Sequence, residues 1–211
     1  NYYTPQNAIA VAVGDFETGQ MVEQIESYFG AIGGAPPPMP VIPAEPAQWG
    51  ERRVTVHGKE PTPRLTYAYR APAVSHPDYW ALMMADAVLT GAKVGMFGGG
   101  TQRTSCLYRR LVDGELALSV GSGLLATIDP YLYSISVALI PTSNPDMVEK
   151  VLEEEIVRLQ SDGVSDEELS RLKKQARAKW AMGMESMSAQ GRWLGLSATI
   201  ASVAWFTDYL K

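Results

Sequence analysis

The chain is short of the residues that most enzyme chemistry uses. Its 211 residues include one cysteine, Cys106, and two histidines, His57 and His76. A single thiol excludes an internal disulfide framework and a cysteine-rich zinc site. Two histidines cannot build a three-histidine metal centre, and these two lie too far apart for a helical metal motif. Neither His-Glu-x-x-His nor the inverted His-x-x-Glu-His occurs, and there is no Gly-x-Ser-x-Gly elbow. Positive charge is also scarce: the formal net charge is -5. Nucleic acid is therefore excluded as a main partner, because phosphate binding needs clustered cations. No basic segment followed by an apolar run opens the chain, and no membrane span is expected.

What is present is an ordinary globular mixture. Hydrophobic residues make up 46% and charged residues 19%, which excludes disorder along the whole chain. A chain of this size buries roughly 70% of its unfolded surface. It has room for one large domain or two small ones. The sequence has no initiator methionine, reaches core-like residues within seven positions and stops at Thr-Asp-Tyr-Leu-Lys. It reads as a piece cut from a longer polypeptide.

Asn7 to Val13 is a short apolar run stopped by Gly14, the pattern of a buried strand. Met21, Val22, Ile25, Tyr28 and Phe29 then recur at helical spacing, with Gly30 or Gly33 to end the helix. Residues 35–48 carry six prolines. They read as a stiff extended connection, with a ligand for a proline-binding module as the other reading. Arg52 to His57 and Arg64 to Tyr69 are two further strand candidates. A helix follows, with Ser75 as its N-cap, Asp78 three residues later and Trp80, Met83, Met84, Ala87 and Val88 on its apolar face.

A glycine-rich loop then leads into a short helix from Cys106 to Val112. Leu116 to Leu124 and Tyr131 to Ile140 read as two strands. In the second, Tyr133, Ile135, Val137 and Leu139 form one apolar face. From residue 145 the chain is helical. Asn144-Pro145 opens one helix and Gly163 closes it. Ser165 and Glu168 form the capping box of the next, and Gly183, Gly191 and Gly195 interrupt what remains. Five strands among helices, with no internal repeat, predict an α+β fold: a two-layer sandwich with a mostly antiparallel sheet backed by helices.

Candidate chemistry is thin. His57 and His76 read as surface or capping residues. Cys106 has Arg103, Arg109 and Arg110 nearby, which would lower a thiol pKa, but no histidine lies near it in sequence to act as base. Gly98, Gly99 and Gly100 precede a helix start, so their N–H groups are placed to meet an anion. Yet the loop lacks the Gly-Lys-Ser/Thr ending of a phosphate loop. A flexible segment that lets an extended peptide approach closely fits better, against a connection with no role. Arg110 and Arg109 suit a carboxylate or a substrate carbonyl, or simply pair with Asp113 and Glu115 on a solvated face.

Several stretches together carry a resemblance. Residues 1–32, with the Tyr2-Tyr3 pair, Pro5, Asn7, the apolar run, Gly14-Asp15-Phe16 and the Tyr28-Phe29-Gly30 helix end, resemble the start of the second domain in pitrilysin/insulinase-type zinc peptidases. That family includes the mitochondrial processing peptidases and the core subunits of respiratory complex III. Residues 97–123 resemble its glycine-rich loop, the following Leu-Tyr-x-x-Leu-Val helix and the Leu-Ala-x-Ser-Val strand. Residues 159–195, with the Gly163-Val164-Ser165 junction, resemble its next helices.

The resemblance implies a non-catalytic, "inactive"-type domain covering residues 1–211, with no metal site and no cofactor of its own. Zinc would sit in a preceding domain of the parent protein. The implied partners are that zinc-binding domain, the other half of the same peptidase and an extended peptide, with a homo- or heterodimer possible. Gly98, Gly99, Gly100, Arg103 and Arg110 would face the peptide. The compartment is left open between cytoplasm and periplasm. One departure narrows the choice: an arginine followed seven residues later by tyrosine is missing, since Leu116 and Ala117 stand seven residues beyond Arg109 and Arg110. This fits the second domain of a zinc-bearing half. The rival expectation is an assembly subunit of the same fold without peptidase function.

Overall fold

The computed structural model describes residues 2–38, 43, 45–93 and 101–208. The chain divides into two compact units, Asn1–Lys59 and Glu60–Lys211. The first unit holds one helix, α1 (Thr18–Phe29), after a 3-10 turn at Pro5–Asn7. Gly30 ends α1, its N–H donating to the Glu26 carbonyl at 2.8 Å. The strands expected at Asn7 to Val13 and Arg52 to His57 do not form. Neither stretch has a ladder partner among the described residues, and Ile9, Val54 and Val56 are exposed. Alternating or continuous apolar residues give a segment strand propensity, but a strand exists only when a neighbour takes its N–H and C=O groups. The described parts of residues 35–48 are neither helix nor strand; Met39 to Ile42 and Ala44 lie outside the described residues.

The second unit is built on a three-stranded antiparallel sheet of order β1-β3-β2, from β1 (Arg64–Ala71), β2 (Ala117–Leu124) and β3 (Tyr131–Leu139). Leu65 faces Val137 across one ladder and Val120 faces Val137 across the other. The alternation in β3 is realised: Tyr133, Ile135, Val137 and Leu139 are all buried. Helices cover that face. Tyr79 and Leu89 come from α2 (Asp78–Thr90), and Leu107 and Leu111 from the turn before β2. Val148, Val151 and Leu152 come from α3 (Pro145–Asp162), and all join one core with Trp205. A second cluster of Ala87, Val88, Ala92 and Leu172 ties α2 to α4 (Asp166–Gly183). This is the α+β arrangement, sheet on one side and helices on the other.

Local signals set most boundaries. The Asn144 side chain accepts from the Asp146 N–H, and the Ser165 hydroxyl accepts from the Glu168 N–H at 3.2 Å, satisfying donors that a helix start leaves free. Gly163 has φ 70°, a conformation that favours glycine. Ser75 is not the cap of α2. The His76 Nδ1 instead accepts from the Asp78 N–H at 3.2 Å. Glycines 191 and 195 lie inside α5 (Met187–Ile200) and do not break it; packing outweighs their roughly 1 kcal/mol helix penalty each. A last helix, α6, spans Val203–Asp208.

Candidate functional site

The chemistry-bearing side chains gather where α2 ends and β2 runs beside it. The last turn of α2 is buried, and it contains a carboxylate: Asp86 is 4% exposed. Burying an ionised carboxylate is costly unless it is paired and hydrogen-bonded. Here both conditions hold. Lys93 Nζ reaches Asp86 Oδ2 at 2.7 Å. Tyr133 Oη donates to Oδ1 at 3.0 Å and Thr90 Oγ1 at 3.2 Å, and the Ser122 hydroxyl donates to the same oxygen. Lys93 is equally satisfied: it also donates to the Ser122 carbonyl at 2.9 Å and meets the Ser122 hydroxyl. Burial, then the Asp86 charge, pushes the Tyr133 phenol well above its ordinary pKa, so it stays a donor.

Chain geometry brings Lys93 there. Gly91 has φ 97°, and a Cβ at that position would stand 2.6 Å from Gln102 Cβ. Only glycine allows α2 to stop so abruptly against Gln102. Gln102 in turn donates its N–H to Thr90 O at 2.9 Å and its side-chain amide to Ala92 O at 2.8 Å. Ala92 O also accepts from Lys179 Nζ of α4 at 2.5 Å; burial lowers the Lys179 pKa. Thr101 Oγ1 donates to Val120 O.

A second cluster lies beside the turn preceding β2. Residues Tyr108–Val112 form a π-helical turn. Arg110 gives Nη2 to Glu154 at 2.6 Å and Nη1 to Glu155 at 3.0 Å. Arg158 holds the other Glu155 oxygen at 3.0 Å. The Glu155 side chain is buried, which alone would raise its pKa. The two guanidiniums prevail and hold it below its ordinary value. Cys106 sits close by and donates to Val88 O at 3.1 Å. The arginines near it in sequence do not lower its pKa: burial, then the Glu155 charge, pushes Cys106 up to about 11. The thiolate needed for nucleophilic attack is disfavoured.

Of the residues expected to meet peptide, Gly98, Gly99 and Gly100 lie outside the described residues. Arg103 is exposed in a turn. Arg110 faces Glu154 and Glu155, not Asp113 and Glu115. The two histidines are exposed. Among the described residues, no three His, Cys, Asp or Glu side chains converge where a metal ion could be held. No helix among these residues is long and apolar enough to cross a membrane. The Asp86–Lys93 network escaped the sequence reading. Its one signal was a carboxylate set in the apolar stretch Ala81 to Leu89, where only a specific partner makes it tolerable.

Comparison with known proteins agrees with this fold. The family described as the Peptidase M16 inactive domain matches residues 1–176, and the chain belongs to that family. It is 28% identical over 196 residues to Zinc protease PqqE of Helicobacter pylori, covering 89% of this chain and 41% of that protein. The crystal structure of a protease from Helicobacter pylori superposes with a TM-score of 0.84 and 23% identity, over 99% of this chain and 49% of that one. The peptidase M16 inactive domain from Pseudomonas fluorescens gives 0.67 and 18%, over 93% and 44%. The chain thus spans less than half the length of each of these three relatives.

Proposed function

We propose that this chain is the chamber-forming, substrate-contacting domain of a zinc-dependent metallopeptidase, with residues 1–211 acting together as one inactive-type domain. The match to the inactive domain over residues 1–176 carries the reading. Zinc and its ligands then belong to another domain of the parent protein, which is this chain's first partner. Hydrolysis in such an enzyme uses a metal-activated water; this chain's share is to enclose and orient the peptide.

Gly98, Gly99 and Gly100 let the peptide backbone approach closely, and Arg103 offers a guanidinium from an exposed turn. Arg110 joins them by releasing the exposed Glu154 for a peptide carbonyl or carboxylate, while the buried Glu155 keeps its other nitrogen. The test is peptide turnover by the full-length protein with the three glycines changed to alanine. A several-fold loss of kcat/KM is expected; unchanged kinetics overturn the substrate role. The rival, an assembly subunit without peptidase function, predicts a parent sequence with no His-x-x-Glu-His ahead of Asn1. Residues 1–211 alone should cleave no peptide in the presence of zinc. Chelator-sensitive cleavage by the purified fragment would refute the division of labour.

A further inference from the structure

α4 is polarised along its length. Its first turn holds Asp166, Glu167 and Glu168, but residues 169–184 then carry five lysines or arginines and no acid. This is a local reversal in a chain of net charge -5, and α3 holds six acids against two cations. Arg171 pairs with Glu168 at 3.5 Å, and Lys179 donates to Ala92 O at 2.5 Å. Lys173, Lys174 and Arg177 stand at exposed positions. At about 100° per residue, Lys174, Arg177 and Ala181 fall opposite Leu172, whose side chain is buried against α2. The cationic end is also the end with exposed apolar side chains. The turn from α4 into α5 is fixed from within. Met184 is buried, Gln190 Nε2 donates to its carbonyl at 2.9 Å, and the Ser186 hydroxyl accepts from the Ala189 N–H at 3.1 Å. On either side of that turn Met182 and Met187 are 70% and 61% exposed. The helix rise puts Lys174 about 12 Å from Met182 along the axis. Glu185 is the acid of the turn.

We propose that this end of α4 is a docking surface for an anionic phospholipid bilayer, with the α4–α5 turn foremost. Lys173, Lys174 and Arg177 meet the headgroups, and Met182 and Met187 enter the boundary beneath them. Charge fixes the orientation. An anionic surface attracts this end and repels the acidic remainder of the chain, including the first turn of α4. The methionines select the kind of polyanion. An exposed thioether side chain gains by leaving water for the acyl boundary, and gains nothing on a surface that is charged throughout. The apolar face of α4 is already used, with Leu172 and Ala176 in the core. The helix therefore lies against the headgroups and does not sink into the bilayer, so the contact is reversible and weakens with salt. Each lysine or arginine near such a surface is worth about fivefold in partitioning. Neutralising three of them should cost about a hundredfold. Docking of this kind needs no peptide and is independent of the substrate role.

The test is co-sedimentation of the full-length protein with vesicles of phosphatidylcholine alone or of equal parts phosphatidylcholine and phosphatidylglycerol. Binding is expected to the mixed vesicles only, and should be lost at about 0.5 M salt. Lys173→Gln, Lys174→Gln and Arg177→Gln together should lower partitioning about a hundredfold. Met182→Ser with Met187→Ser should lower it severalfold at low salt. Lys150→Gln, on α3, should leave it within about twofold. A variant that does not fold leaves the salt and lipid arms of the parent protein to decide. No binding to mixed vesicles, equal binding to both kinds, or a triple variant that binds as the parent does overturns the proposal. Unaltered binding by the methionine variant overturns the bilayer in favour of a general polyanion. If the triple variant instead changes the self-association of the protein without vesicles, and vesicle binding stays as it was, the face serves a second copy and the bilayer assignment falls.

Discussion

Among the described residues of the second unit two carboxylates are buried, and they are neutralised in different ways. Asp86 is enclosed together with its cation: both side chains of the Asp86–Lys93 pair are at least nine-tenths buried, and neutral donors from Thr90, Ser122 and Tyr133 complete the shell. Glu155 is buried too, but its cations are partly in water, with Arg110 and Arg158 about 40% exposed. In the first case three chain segments are locked together around a charge that cannot reach solvent. In the second, α3 and the π turn share a carboxylate whose partners can still exchange with water or with a ligand. Enclosure makes a joint; partial exposure makes a contact that can be traded.

The difference can be broken by mutation. The largest effect should come from Lys93→Met, which leaves Asp86 buried without its cation. Loss of about 3–5 kcal/mol is expected for a pair of this kind, read as the midpoint shift in urea unfolding. A loss below about 1 kcal/mol would show that water enters the site and that enclosure is not what distinguishes the pair. Arg110→Ala should cost less, about 1–2 kcal/mol, because Arg158 remains on Glu155 and solvent screens the exposed side. Tyr133→Phe removes one of several donors to Asp86 and should cost about 1 kcal/mol.

Acid sharpens the contrast at the Glu155 end. Its folded pKa lies below the ordinary value of 4.5, so the folded state binds fewer protons than the unfolded state in that window. The stabilisation is complete above the ordinary value and is lost as pH falls through the lowered one. Arg110→Ala should therefore flatten the fall in stability below pH 4.5, as seen in thermal melts at stepped pH. The smallest effect concerns Cys106. With its pKa raised to about 11, the thiol should resist alkylation at neutral pH in the folded protein and react only on unfolding. Rapid modification of the native state would contradict the burial described for this cluster.

The strands show where sequence reading succeeds and where it stops. Tyr131 to Leu139 alternates polar and apolar residues, and the structure places those faces as read. Arg52 to His57 carries a comparable β-rich pattern and forms no ladder. The pattern reports which face would be buried, whereas pairing requires another backbone at the right distance. Helix starts were legible because their causes are local: Asn144 and Ser165 cap donors two or three residues away. The start of α2 was misplaced because His76, not Ser75, supplies the acceptor, and either residue type has the chemistry to do so.

The candidate site was half legible. Cys106 and Arg110 were visible as residue types, but their roles followed from neighbours distant in sequence. Glu155 lies 45 residues beyond Arg110, and it both claims the arginine and raises the thiol pKa. Asp86, Ser122 and Tyr133 were invisible as a group because three different elements deliver them. The sequence by itself determined the fold class, the caps at Asn144 and Ser165, the core face of β3 and the scarcity of metal-binding residues, since each depends on composition or on spacing within one segment. Only the tertiary structure decided which charges meet and which are enclosed. Those outcomes depend on distances between segments that the linear order does not contain.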